Sequence, residues 1–282
     1  MAHSSVSETG PLLQTSSLFF TMLLPELRFM IYEHVFGPKH LHMFIHDKKL
    51  AGLRCLEPTS TDTSDHEKCI GLPLETNFTM EQEQLDLFRD RQPLSERSPV
   101  GALLTACRLI YSEAVDVLYR TSTIHFSNIV SICVFPRTVI PHHLDNVRHV
   151  RLSLFLEWRR DGLVTKSHNA FGGVWPGWDG GIGHGDTPWE CVWAVVASMR
   201  SLHTLVVTIH ILGFRARRDE LSRQGTQLDD FETPLFEPLK QISPCNYFLL
   251  RVSWPSSGQQ FDEYPFRLER FVEPDRMQSR RV

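Results

Sequence analysis

Three short segments restrict what this chain can fold into more than any other feature. Val150-Arg151-Leu152-Ser153-Leu154, Val207-Thr208-Ile209-His210-Ile211 and Leu250-Arg251-Val252-Ser253-Trp254 each alternate apolar and polar residues, the two-residue period of a strand with one buried face. A helix signal lies in each gap. Thr187-Pro188-Trp189-Glu190 has capping-box spacing with proline at the first helical position, and Val192, Trp193, Val196 and Met199 follow it. Pro234 to Ile242 supplies a shorter helix with Leu235, Leu239 and Ile242. Strands separated by helices pair in parallel, because a parallel neighbour is reached through a crossover. The steps from Leu152 to Val207 to Val252 are 55 and 45 residues, too long and unequal for leucine-rich repeats. The expected fold is therefore mixed α/β, with helices at the start followed by an irregular open layer of parallel strands and covering helices.

The opening helix is bounded by Pro25 at its first position and by Gly37-Pro38 at its end. Around its wheel Leu27, Met30, Ile31 and Val35 form one apolar stripe, and Phe29, Tyr32 and Phe36 form a second, nearly opposite. A surface helix needs only one. Such a helix is either sandwiched within its own fold or keeps one face for a partner. A second helix starts at Ser98-Pro99 and carries Leu103, Leu104, Cys107, Ile110, Tyr111, Ala114, Val115 and Leu118 at helical spacing. Its outer row, Arg108, Ser112, Asp116 and Arg120, reads as solvated, with Asp116 and Arg120 spaced as an i,i+4 ion pair.

Between the two helices come a strand over Leu41 to His46 and a polar stretch centred on Pro58-Thr59-Ser60-Thr61-Asp62-Thr63-Ser64-Asp65, which reads as a solvated insert. The expected organisation is a disordered tail over 1–17, the first helix and strand over 18–47, the insert over 48–97, a helix plus α/β layer over 98–255, and a C-terminal tail over 256–282.

Chemistry is sparsely signalled. With 29 Lys and Arg against 33 Asp and Glu, the formal charge is -4, without the basic footprint that nucleic acid binding requires. The apolar run Leu18 to Leu24 is too short for a membrane span and lacks the basic flank of a signal peptide. The six cysteines form no Cys-x-x-Cys pair and read as reduced core thiols of a soluble cytoplasmic or nuclear protein. His40, His42 and His46 share one strand face, and three imidazoles can hold zinc; the spacing has no familiar ligand offset beside it, so no metal site or cofactor is assigned. His142-His143 after Pro141 reads as a loop. Seven glycines lie between Phe171 and Asp186, but no Lys-Ser/Thr follows them, so the stretch reads as a surface loop whose Trp175 and Trp178 could anchor a partner. No Gly-x-Ser-x-Gly or cysteine-histidine motif is present. The acidic run Asp229-Asp230-Phe231-Glu232 reads as a helix start with favourable dipole charges.

Two blocks carry a family resemblance. Leu23-Leu24-Pro25-Glu26-Leu27-Arg28-Phe29-Met30-Ile31-Tyr32-Glu33-His34-Val35-Phe36, and Leu103-Leu104-Thr105-Ala106-Cys107-Arg108-Leu109-Ile110-Tyr111-Ser112-Glu113-Ala114 with Leu118-Tyr119, resemble a filamentous-fungal family of domains of unknown function with an F-box-like start. In F-box motifs a Leu-Pro helix packs against the Skp-type linker of a cullin ubiquitin ligase. The resemblance implies that role for Leu24, Pro25, Leu27 and Ile31. About sixty residues separate the two blocks here, whereas an ordinary F-box is continuous. The expected function is a noncatalytic protein-protein interaction module, which the resemblance extends to a client-recruiting adaptor of a ubiquitin ligase, with Leu24, Pro25, Leu27, Phe29, Ile31, Tyr32, Phe36, Trp175 and Trp178 facing the partner. The alternatives are a scaffold without a ubiquitin role and, behind it, a histidine-based metal enzyme.

Overall fold

A computed structural model describes residues 17–37, 40–46, 49–55, 99–127, 129–159, 162–163, 188–212, 229–255, 258 and 260–271. In chain order the elements are α1 (Leu18–Met22), α2 (Pro25–Phe36), β1 (His40–His46), β2 (Lys49–Arg54), α3 (Pro99–Ala106), α4 (Arg108–Thr121), β3 (Thr123–Phe126), α5 (Ile129–Thr138) and α6 (Pro141–Leu144). There follow β4 (His149–Arg159), β5 (Gly162–Leu163), α7 (Pro188–Ser198), β6 (Thr204–Leu212), α8 (Asp229–Phe236), a 3-10 turn (Glu237–Gln241), β7 (Tyr247–Val252) and β8 (Arg267–Arg270).

The strands form one mixed sheet in the order β2-β1-β3-β4-β6-β7-β8, with β5 appended to β4. β1 and β2 form an antiparallel hairpin, and every neighbour from β1 to β8 along the rest of the order is parallel. The three alternating segments lie in β4, β6 and β7, which are adjacent, with Leu152 opposite Val207 and Val207 opposite Leu250. Each parallel strand is added on the same side of the one before it. Crossovers of one hand then all return over the same face. That face holds the main core: Val150, Leu152 and Leu154 of β4, Leu205, Val207 and Ile209 of β6, and Leu250 and Val252 of β7 pack against α5, α7 and α8. The intervening polar residues face the other way. There the Nε2 of His125 lies 2.9 Å from the hydroxyl of Ser153, and His42 packs against His125 with ring centroids 4.8 Å apart.

Several elements depart from the sequence reading, each for a local reason. The second helix is two: Cys107 is extended (φ -165°, ψ 162°) and caps α4, its sulfur accepting the Ile110 N–H at 3.4 Å. The polar stretch starting at Lys48 opens with β2, which pairs with β1 from Lys49 to Arg54; residues 56–98 lie outside the described residues. α5 was not anticipated because it is apolar nearly all round, with Ile129, Val130, Ile132, Cys133 and Phe135 all buried, and such a run has no helical stripe to read. Within this core the Cys191 thiol donates to Cys133 at 2.9 Å between sulfurs; the contact with Cys191 and burial hold the Cys133 thiol well above its ordinary range. Pro141-His142-His143-Leu144 is a one-turn helix rather than a loop. Pro234 falls inside α8, which starts earlier than expected and passes into the 3-10 turn. Part of the segment read as a C-terminal tail rejoins the fold, since β8 pairs with β7 and Phe261 and Phe266 enter the core. No helix among the described residues is long and apolar enough to cross a membrane.

Candidate partner-binding face

The helical cap is organised by a charge turned inward. On α2 the residues Arg28, Tyr32 and Phe36 recur every four positions, so they share one side of the helix, and all three are buried. Tyr32 and Phe36 meet Ala114, Val117 and Leu118 of α4 in a small core separate from the one beneath the sheet. A buried arginine is costly unless its charge and its donors are matched. Here they are. Arg28 donates Nε to Glu113 Oε2 at 2.9 Å and Nη2 to Oε1 at 2.7 Å, a two-point grip, while Nη1 donates to the Leu23 carbonyl at 2.7 Å. Its guanidinium also lies over the Phe20 ring, 5.3 Å from the centroid, tying α1 to the same group.

The Tyr32 hydroxyl completes the network by donating to Glu113 Oε2 at 2.9 Å. Burial first, then the hydrogen bond to the carboxylate, pushes the Tyr32 phenol above its ordinary range, so it stays a donor. The Arg28 hydrogen bonds hold the Glu113 carboxyl below the usual carboxylate range, reinforced by Tyr32 and opposed by burial. A carboxyl depressed on folding contributes stability that is complete above its unfolded value of about 4.3 and is lost as pH falls through the folded value. Replacing Glu113 with Gln is expected to remove this acid-side dependence and to cost about 2 kcal/mol at neutral pH, less than for a fully enclosed pair. Urea denaturation of both proteins across the acid range measures both effects.

With Arg28, Tyr32 and Phe36 turned inward, the other side of α2 is left open. Leu24 is 66% exposed, Leu27 45% and Met30 63%, and Leu18 and Met22 of the preceding α1 are exposed as well. Helix ends keep this side rigid: Pro25 starts α2, and Gly37, at φ 53°, closes it with its N–H on the Glu33 carbonyl at 2.6 Å. Phe29 sits at the border, 38% exposed, its ring edge-on to Tyr32 at 6.1 Å.

The predicted partner residues therefore divide. Leu24, Pro25 and Leu27 are exposed together, and Ile31 and Phe29 flank them. Tyr32 and Phe36 are corrected: both are enclosed in the chain's own core and cannot reach a partner. The exposed row is aliphatic, and Met30, read only as part of the opposite stripe, belongs to it. Trp175 and Trp178 lie outside the described residues. His42 is buried against His125 rather than presented on a ligand face, and the side chain of His46 lies outside the described residues. Arg28 and Glu113 escaped the sequence reading. The signal was a charged residue four positions, about one helical turn, ahead of Tyr32 on an otherwise aromatic row.

Fold and face together define a mixed α/β domain, wound in one direction and carrying an N-terminal helical cap with one open aliphatic side. A family model described as Domain of unknown function (DUF7730) matches residues 13–270, and the chain belongs to that family. No curated protein and no solved structure matches the chain.

Proposed function

We propose that the protein is a noncatalytic interaction module of the cytoplasm or nucleus whose cap docks a protein partner on the open side of α1 and α2. The observation that carries the reading is the exposed row Leu24, Leu27 and Met30 on a helix whose other side is locked to α4 through Arg28 and Glu113. Apolar side chains on a helix that is already formed present their area without the cost of ordering the backbone on binding. The Leu24-Pro25 start and the filamentous-fungal, F-box-like likeness of the two sequence blocks favour a Skp-type linker of a cullin ubiquitin ligase as that partner, with the rest of the chain available to a client. The same geometry supports a smaller docking area than the sequence implied, because Tyr32 and Phe36 are spent internally.

The test is binding of purified Skp-type linker to the full chain and to a Leu27→Asp, Met30→Asp double variant. Both positions are exposed, so the fold is expected to lose no more than about 1 kcal/mol. Recovery of the linker by the parent chain and loss of at least about tenfold in affinity by the variant, a difference of some 1.4 kcal/mol, is the expected result. Equal recovery by both would remove this face from the interaction. No linker binding by either would favour a scaffold with no ubiquitin role.

A further inference from the structure

On α4 the carboxylate of Asp116 does not pair with Arg120, which lies instead 3.8 Å from Glu33. It receives two imidazoles from the one-turn helix α6. His143 Nδ1 lies 2.6 Å from Asp116 Oδ1 and His142 Nε2 lies 3.4 Å from the same oxygen. Successive residues on a helix point about 100° apart and do not normally face each other. Here the two rings are brought together, with centroids 3.8 Å apart, so that both aim at one oxygen. One ligand atom from each of the three residues lies within 4.8 Å of the other two.

We infer that Asp116, His142 and His143 form a binding site for a divalent transition ion of the zinc class, clamping α6 to α4. Two imidazole nitrogens and one carboxylate oxygen are a donor set suited to zinc, and three protein ligands leave a fourth position for water. With bonds of about 2.0–2.1 Å, tetrahedral donors stand roughly 3.3 Å apart. The carboxylate to His142 separation already matches this, the His143 contact must open by roughly 0.7 Å, and the two imidazole nitrogens, within 4.8 Å of each other, must settle to the same spacing by side-chain rotation. His143 is held from behind by Tyr119, whose ring stacks on it at 5.7 Å, while His142 is 60% exposed and gives the ion a route in from solvent. Imidazole donors select against magnesium, which demands oxygen ligands.

The experiment titrates zinc chloride into the full chain stripped with chelator, with calorimetry and thermal unfolding as readouts. One equivalent should bind in the micromolar range and raise the unfolding midpoint, and magnesium chloride should do neither. His142→Ala is the primary variant because its side chain is 60% exposed, so its removal is expected to leave the fold intact; zinc affinity should fall at least about tenfold. Asp116→Asn should weaken zinc likewise, and His40→Ala, on β1, should bind as the parent does. Zinc bound equally by His142→Ala and the parent, binding abolished by His40→Ala, or no binding below roughly millimolar zinc would each overturn the site.

Discussion

Tyr32→Asp is expected to unfold the helical cap, whereas Phe29→Asp, three residues away, is expected to leave it standing. Tyr32 is fully buried between Phe36 and the α4 residues Ala114, Val117 and Leu118, and its hydroxyl donates to Glu113. Removing an aromatic ring from such a position costs about 3–5 kcal/mol through lost burial and the cavity left behind. Aspartate adds a carboxylate with no donor waiting for it, next to one that Arg28 already occupies. The total is a large share of the roughly 5–15 kcal/mol that keeps a domain folded. Phe29 is 38% exposed and lies outside the buried core, its ring at a right angle to Tyr32 at 6.1 Å, so its replacement should cost far less, about 1 kcal/mol. Urea denaturation of both variants and the soluble yield of each are the measurements; a Tyr32→Asp protein with the parent's midpoint would mean that the α2 and α4 packing is not as described. Tyr32→Phe, which keeps the ring and deletes only the donor to a charged acceptor, should fall between them at about 2 kcal/mol.

That pair of residues shows where the sequence was legible and where it was not. Helix ends are local chemistry, so Pro25 and Gly37 marked α2 correctly from the sequence. Alternation is local too, and it placed the strands that became β4, β6 and β7 as well as the parallel order that follows from helices between them. Which side of an apolar helix turns inward is not local. It depends on a partner 85 residues away, because Glu113 on α4 captures Arg28 and pulls the Arg28, Tyr32, Phe36 row beneath it. Hydrophobicity alone ranks Leu27 and Met30 as core candidates ahead of a row that contains an arginine. The pairing of Asp116 was misread for the same reason: an i,i+4 neighbour was visible in the sequence, and the imidazoles of α6, 26 and 27 positions on, were not. Fully buried elements were hidden for the opposite reason. α5 is apolar nearly all round, so it has no period to detect, and β3 alternates over four residues only, too short a run to stand out.

Glu232→Ala is the second substitution with a large expected effect, and it concerns the far edge of the sheet. The acidic run before the Pro234 helix was read as favourable charge at a helix start, and Glu232 does stand in α8, but its side chain is fully buried. Its Oε1 accepts from Trp254 Nε1 at 2.5 Å and from Arg270 Nη1 at 2.6 Å, and its Oε2 lies 3.2 Å from Arg270 Nη2. Arg270 Nη1 also reaches the Pro255 carbonyl at 2.8 Å. One carboxylate thus joins α8, the segment after β7 and the edge strand β8. Truncating it leaves an arginine, 18% exposed, and an indole N–H without their acceptor, and removal of one member of a buried ion pair costs about 3–5 kcal/mol. Most of that is the penalty on the partners left behind, not the value of the pair. A Glu232→Leu, Arg270→Met double variant removes both charges together, so it should recover a good part of the stability lost by Glu232→Ala, measured by urea denaturation. If Glu232→Ala instead unfolds within about 1 kcal/mol of the parent, the carboxylate is not what holds β8 to the sheet.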